Sequence, residues 1–297
     1  MESNRKETWL QLLFAGCAAL CILSVALICW FLFANGLPAI VEIGPLNFLF
    51  STDWSPSQGQ YGIFAMIVGS ICLGLGAALF GVPLGVLTAI YLAYYCPKKL
   101  YGPFKSAIDL LAGIPSIVFG FFGLVVLVGW MQKVFVGSSG KGILCASLLL
   151  AIMILPTIVS VSENALQSID PSFYEASRAL GAGHDHTVFF VCVPAAARGI
   201  GTAIVLGISR AIGETMAVIM VAGNAAILPT SILSPVRTLT TGIVLEMSYA
   251  SGLHRQALIA MGTVLFILIL IMNPNNSWLF SQNHFSCFVF KMQTNLS

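Results

Sequence analysis

A chain of 297 residues that is 58% hydrophobic and 8% charged, with mean hydropathy +0.95, is far from the about 25% charged residues of a soluble domain. This composition excludes an ordinary soluble enzyme or binding domain and points to an integral membrane protein. The net charge of +2 says little about partners, because in a multi-span protein only the placement of Lys and Arg between spans is informative.

The opening MESNRKETW puts Arg5 and Lys6 before a run of roughly 25 apolar residues, longer than a signal-peptide core and without a clear cleavage site, which reads as a retained first helix. Windows of about 19 residues give six candidate spans, at roughly 10–34, 63–95, 109–130, 142–162, 199–223 and 256–272. The fold class is therefore all-α, a polytopic membrane bundle over residues 1–272. With the N-terminus cytoplasmic, that side holds Arg5, Lys6, Lys98, Lys99, Lys105, Arg178 and Arg198, and the other side Lys133, Lys141, Arg237 and Arg255. Seven against four sets this orientation. A long internal connection, 163–198, then faces the cytoplasm.

Small residues and prolines recur in the second and third spans, where they let backbones approach. Within Gly113-Ile114-Pro115-Ser116, Pro115 and Ser116 mark a helix irregularity, since an interior proline frees a carbonyl that neighbours must satisfy. The eight cysteines lie mostly inside apolar runs, form no CxxC pair and read as small apolar fillers.

The internal connection carries IDPSFYEASRALGAGHDHTVFFVCVP, Ile169 to Pro194. Asp170 can cap a short helix, Pro171 suits its first position, and Gly181 can close it in the left-handed conformation. A second short helix can start at His184, Asp185 or Thr187 and end before Pro194. His184-Asp185-His186 lacks a third metal ligand, and capping with solvent contact accounts for it. EASRALG followed by VCVP resembles the EAA loop of bacterial ABC-importer permeases: Gly181 stands six residues after Glu175, and Pro194 thirteen after Gly181. The third motif position is Ser177, where that family commonly has alanine. The resemblance implies a type I permease bundle in which Glu175, Ala176 and Gly181 belong to a coupling helix docked on a cytoplasmic ATPase.

The fifth span contains SRAIGETMAV, with Arg210 and Glu214 inside an apolar run. An ionised side chain at the centre of a membrane helix costs about 2.5–3.5 kcal/mol on insertion scales. Their spacing puts the two about 40° apart on one face, where they can pair and merely staple helices. Alternatively, the small-residue stripe Gly199, Ala203, Gly207, Ala211 and Thr215 overlaps the charged face and turns it into the bundle, where the planar guanidinium suits a passing oxyanion.

SRAIGETMAV and LAGIPSIVFGFFGL, with GVPLGVLTAIYL and SGLH, resemble the permeases of the phosphate-specific transport (Pst) family, in the feature order of its PstC branch. The similarity extends over roughly residues 45–272. The resemblance implies a bacterial inner-membrane, multi-pass subunit forming half of a phosphate path, with Arg210 and Glu214 at the anion pathway. It further implies a PstA-like sister permease, two PstB-like ATPase subunits and a periplasmic phosphate-binding protein. An importer of sulfate, molybdate or a phosphonate, or a standalone proton-coupled carrier, are the alternatives.

No nucleotide-binding loop is present: GSSGKG, Gly137 to Gly142, lacks the required spacing and the following Ser or Thr, so ATP hydrolysis needs another polypeptide. Ser116, Ser209 and Ser251 have no His and Asp constellation, and no motif calls for a cofactor or metal. Asp109, at the start of the third span, and Glu246 read as single carboxylates explained by a helix dipole or by solvation. After Met272 the tail 273–297 departs from the family pattern, as a frameshift, a truncation or divergence would make it.

Overall fold

A computed structural model of the chain describes residues 2–272, with side chains from Leu10 onward; the tail 273–297, including Cys287, lies outside the described residues. The chain opens with α1 (Glu2–Ile43), a short α2 (Pro45–Phe50) and a small hairpin, β1 (Trp54–Ser55) paired antiparallel with β2 (Gln60–Tyr61). Next come α3 (Phe64–Ile90), extended by a π-helical turn over Tyr91–Tyr95, and α4 (Lys98–Gly113). The third span consists of α5 (Ser116–Phe122), a π-helical turn and α6 (Val128–Val134), and the fourth is α7 (Ile143–Gln167).

The internal connection holds α8 (Pro171–Ala179), α9 (His184–Thr187), a π-helical turn and α10 (Val193–Ala195). The chain continues through α11 (Ala197–Gly213) and α12 (Met216–Val221), then α13 (Leu239–Glu246) and α14 (Gly252–Met272). Among the described residues five helices are long and apolar enough to cross a membrane, and a sixth span arises if His184–Ala195 and Ala197–Gly213, bent by 68°, count as one. The first apolar stretch, Leu10–Ile43, runs 34 residues, about 51 Å at 1.5 Å per residue against a roughly 30 Å hydrocarbon core. It therefore tilts or protrudes.

The third span does not start at 109. Pro115 excludes the α conformation at Ile114, whose ψ is 126°, so α4 stops at Gly113 and a new helix starts at Ser116. The fifth span is likewise two helices, for reasons given below.

The core centres on α3 against α7, with α5, α11 and α12 around them; Leu73, Ala77, Leu149, Leu150, Ile154 and Ile158 are nearly or fully buried. Close approach is built in, because a Cβ on Gly81 would come 2.8 Å from Ile154 and one on Gly85 2.7 Å from Ile158. A second cluster joins α1, α2, α3, α13 and α14 through Ala39, Phe48, Met66, Leu239 and Leu258. A third lies beside the internal connection, with Leu92, Leu166, Val188 and Ile200.

Candidate functional site

Two breaks in the helices define the site. α11 ends at Gly213, Glu214 is extended at ψ 138°, and α12 begins after Thr215. A glycine followed two residues later by threonine is only a weak stop-then-restart signal, and the apolar run around it hid the break. The first break, at Ile114–Pro115, lies in the segment packed on the second, since α5 seats on α12. A Cβ on Gly120 would meet Met220 Sδ at 2.9 Å and Ala217 Cα at 3.0 Å, and one on Gly123 would meet Val221 at 2.9 Å.

The break corrects the expected charge pair. Among the described residues the ion pairs between permanent charges and carboxylates are Lys105–Glu163 and Arg237–Glu246, and Arg210 is not paired with Glu214. Once the helix stops at Gly213, the i,i+4 geometry is lost. The Glu214 carboxylate instead turns forward and accepts the Ala217 N–H at 3.3 Å, capping α12, while its carbonyl accepts the Thr240 hydroxyl at 2.9 Å. Arg210 Nη1 donates to Thr157 Oγ1 of α7 at 2.9 Å.

The small-residue stripe and the charge also separate. Gly199 lies over Ala165 and Gly207 over Ile158, with Ala203 and Ala211 buried, so the stripe is the α7-facing side. Leu206, Arg210 and Gly213 share the exposed face. A guanidinium at apolar depth is thus held by an uncharged hydroxyl beside a stretch of non-helical backbone, and membranes tolerate such backbone where it is buried in protein or lines a water-filled cavity.

In the internal connection Asp170 caps α8: its Oδ1 accepts the Ser172 N–H at 2.9 Å, and that bond holds the carboxyl below the usual carboxylate range. At the other end Gly181 has φ 90°, its N–H reaches the Arg178 carbonyl at 3.0 Å, and the Ala182 N–H reaches that of Ser177 at 3.2 Å. This closes the helix in a left-handed turn. Phe173, Glu175, Ala176 and Leu180 are exposed on α8, whereas Tyr174 and Ser177 face inward.

The histidine-rich run proves to be a clasp, where sequence reasoning expected capping and solvent contact. Tyr174 Oη and His184 Nδ1 lie 2.9 Å apart, Ser177 and Thr187 hydroxyls 2.9 Å apart, and Tyr95 donates to Asp185 at 2.8 Å. The Tyr95 and His184 rings meet edge to face at 4.9 Å. α9 starts at His184, one of the expected starts, but the helical run does not end before Pro194: it continues through the π-helical turn and α10 to Ala195.

Two carboxylates prove to be buried, Glu163, which the sequence did not single out, and Glu246, which it read as solvated. Glu163 on α7, 1% exposed, accepts Lys105 Nζ at 2.8 Å, the Tyr101 hydroxyl at 2.6 Å and Gln167 Nε2 at 3.1 Å. Glu246, at the end of α13, is not solvated: it accepts Arg237 Nη1 at 2.6 Å, Trp54 Nε1 at 2.9 Å and lies 2.9 Å from His254 Nε2. Asp109 stands within α4, not at a helix start, and is exposed. No period or spacing announces Glu163 or Glu246, because Lys105, Tyr101 and Trp54 reach them from 58, 62 and 192 residues away and the nearer partners form no recognisable motif.

Residues 81–274 match the family described as binding-protein-dependent transport system inner membrane component. The chain belongs to this family. It is 39% identical over 264 residues to a probable ABC transporter permease protein, YqgH, of Bacillus subtilis, covering 87% of this chain and 85% of the relative. It is 35% identical over 286 residues to the phosphate transport system permease protein PstC of Haemophilus influenzae, covering 88% and 90%. A similar protein, PstC of Mesorhizobium japonicum, is 35% identical over 257 residues, covering 80% and 78%.

Among solved structures, an inward-facing MetNI methionine ABC transporter aligns with TM-score 0.56 at 22% identity, over 76% of this chain and 97% of the other. A bacterial alginate ABC transporter aligns with TM-score 0.55 at 15% identity, over 86% and 92%. These establish the type I permease fold, and the chain is a multi-pass inner-membrane permease component.

Proposed function

We propose that this permease is one half of the translocation path of an ATP-driven phosphate importer, assembled with a PstA-like sister permease, two PstB-like ATPases and a periplasmic phosphate-binding protein. The observation that carries the reading is the exposed Arg210 guanidinium, aimed by Thr157 and not neutralised by Glu214. A permanent, planar cation at that depth suits an oxyanion that exchanges water for charge-assisted hydrogen bonds. The similarity to two PstC proteins supports phosphate as the anion. Glu214 acts through the backbone: it caps α12 and keeps the break open. Glu175, Ala176 and Gly181 form the ATPase handle, because the exposed side of α8 is apolar at Phe173, Ala176 and Leu180 while the inner side is locked by Tyr174 and Ser177.

The standalone proton-coupled carrier reading loses support for its relay, since Arg210 and Glu214 are not ion-paired and bond to different groups. The test is uptake of radiolabelled phosphate in cells carrying Arg210→Gln, with protein level controlled and sulfate and molybdate as competitors. The reading requires a loss of about tenfold or more, the size expected when a charge-assisted contact is removed. Normal uptake rejects the anion role, and inhibition by sulfate or molybdate alone moves the substrate to another oxyanion.

A further inference from the structure

We infer that α13 is a strut that ties the face of the permease opposite the coupling loop to the break in the fifth span, with Thr240 and Glu246 as its two fastened ends. This deepens the anion-path reading and rests on it for the role of the break.

At the inner end, the Thr240 hydroxyl, 7% exposed, donates to the Glu214 carbonyl at 2.9 Å, the carbonyl freed where the helix stops. The same end is fixed to α3, because the Leu239 N–H donates to Ser70 Oγ at 3.0 Å. It is capped by a reciprocal Thr238–Thr241 box. At the outer end Glu246 gathers three segments, two that flank α13 and one, the hairpin, that is far away in sequence. Trp54 comes from the hairpin, Arg237 from the loop before α13, and His254 from the start of α14. Arg237 also donates through Nε to the Asn224 carbonyl at 3.0 Å, binding the loop that follows α12.

Between the ends the helix has little freedom to bend or slide. A Cβ on Gly242 would meet Met66 Sδ and Met261 Cε, both at 3.0 Å, so α13 is gripped between α3 and α14. Thr240 and Glu246 are six residues apart, about 9 Å along the helix, and share no partner. A displacement of the Trp54–His254 surface therefore reaches the Glu214 carbonyl through a rigid element, and Thr240 is a positioning residue for the break.

The test is a double-mutant cycle on the complete transporter, reconstituted with its sister permease, ATPases and binding protein in proteoliposomes and assayed with radiolabelled phosphate. Thr240→Val is expected to lower uptake about fivefold, the worth of one neutral hydrogen bond, and Glu246→Gln by a similar factor, because freeing either end of the strut releases the same coupling. The double variant is expected to lose about fivefold as well, because a strut already released at one end has nothing left to transmit. Thr240→Ser, which keeps the hydroxyl, is expected to restore uptake to within about twofold of wild type.

Losses that multiply to about 25-fold would show two independent local defects and overturn the inference, as would full activity of Thr240→Val. If Glu246→Gln fails to assemble, Trp54→Phe, which removes one donor to the same carboxylate, replaces it in the cycle under the same criteria. Arg210→Gln is measured in parallel. Normal uptake there sinks the anion-path reading whatever the cycle gives, and multiplicative losses beside an inactive Arg210→Gln sink the strut alone.

Discussion

At the residue scale the decisive feature is that Arg210 has an uncharged partner. Thr157→Val removes the acceptor at nearly constant volume and leaves the guanidinium unaimed, so uptake should drop about fivefold, one neutral hydrogen bond's worth, with the complex still assembled. Phosphate transport and pull-down of the ATPase, measured on the same membranes, check this. The buried Glu163 belongs to the same scale. Glu163→Gln leaves Lys105 facing a neutral group in a largely buried setting and should cost about 3 kcal/mol in a thermal melt in detergent. Replacing both partners with methionine should cost less than that single change, since no uncompensated charge remains. What sequence could reach here was identity without geometry: Arg210 stands out because a charge in an apolar run is expensive. Its partner is hidden, because Thr157 on another helix has no pattern that marks it. Glu246 was read as solvated for the same reason, as its donors at Trp54, Arg237 and His254 meet only in three dimensions.

At the element scale α8 shows how local chemistry is enough. Asp170, Pro171 and Gly181 each satisfy a terminal requirement that the helix alone imposes, so its ends are legible without any tertiary knowledge. Gly181→Pro removes the N–H bonded to Arg178 and forbids φ 90°, so the permease should remain in the membrane while ATPase association in a pull-down is lost. The cap has a pH signature. Because the Ser172 N–H holds Asp170 below the ordinary carboxylate range, its stabilisation is complete above the unfolded value and disappears as pH falls through the lowered one. Binding of the ATPase should therefore differ between wild type and Asp170→Ala at neutral pH, and the two should converge in acid. The fifth span is the opposite case. Hydropathy alone reads 199–223 as one helix, because the scale averages over Gly213-Glu214-Thr215. The break depends on groups that receive the freed backbone, the Thr240 hydroxyl above all, and those sit in another element.

At the scale of the whole molecule, composition and span count fix a multi-pass bundle, and the proposed orientation rests on the distribution of Lys and Arg. The arrangement of that bundle comes from packing: α3 against α7 at glycine contacts, and α5 against α12 at Gly120 and Gly123. Gly120→Leu should force these segments apart at both breaks and abolish transport, with loss of folded protein in a detergent-stability assay. In the proposed transporter the exposed face of α11, carrying Leu206, Arg210 and Gly213, borders an aqueous anion route. Gly213 tests it most directly, because a side chain there has no neighbour within 4 Å. In a complex whose other cysteines are replaced, Gly213→Cys should react with water-soluble methanethiosulfonates, faster with the anionic reagent than with the cationic one, and phosphate should slow the reaction. Labelling by a lipid-soluble maleimide alone, with no reaction toward either charged reagent, would place that face in hydrocarbon and contradict the account.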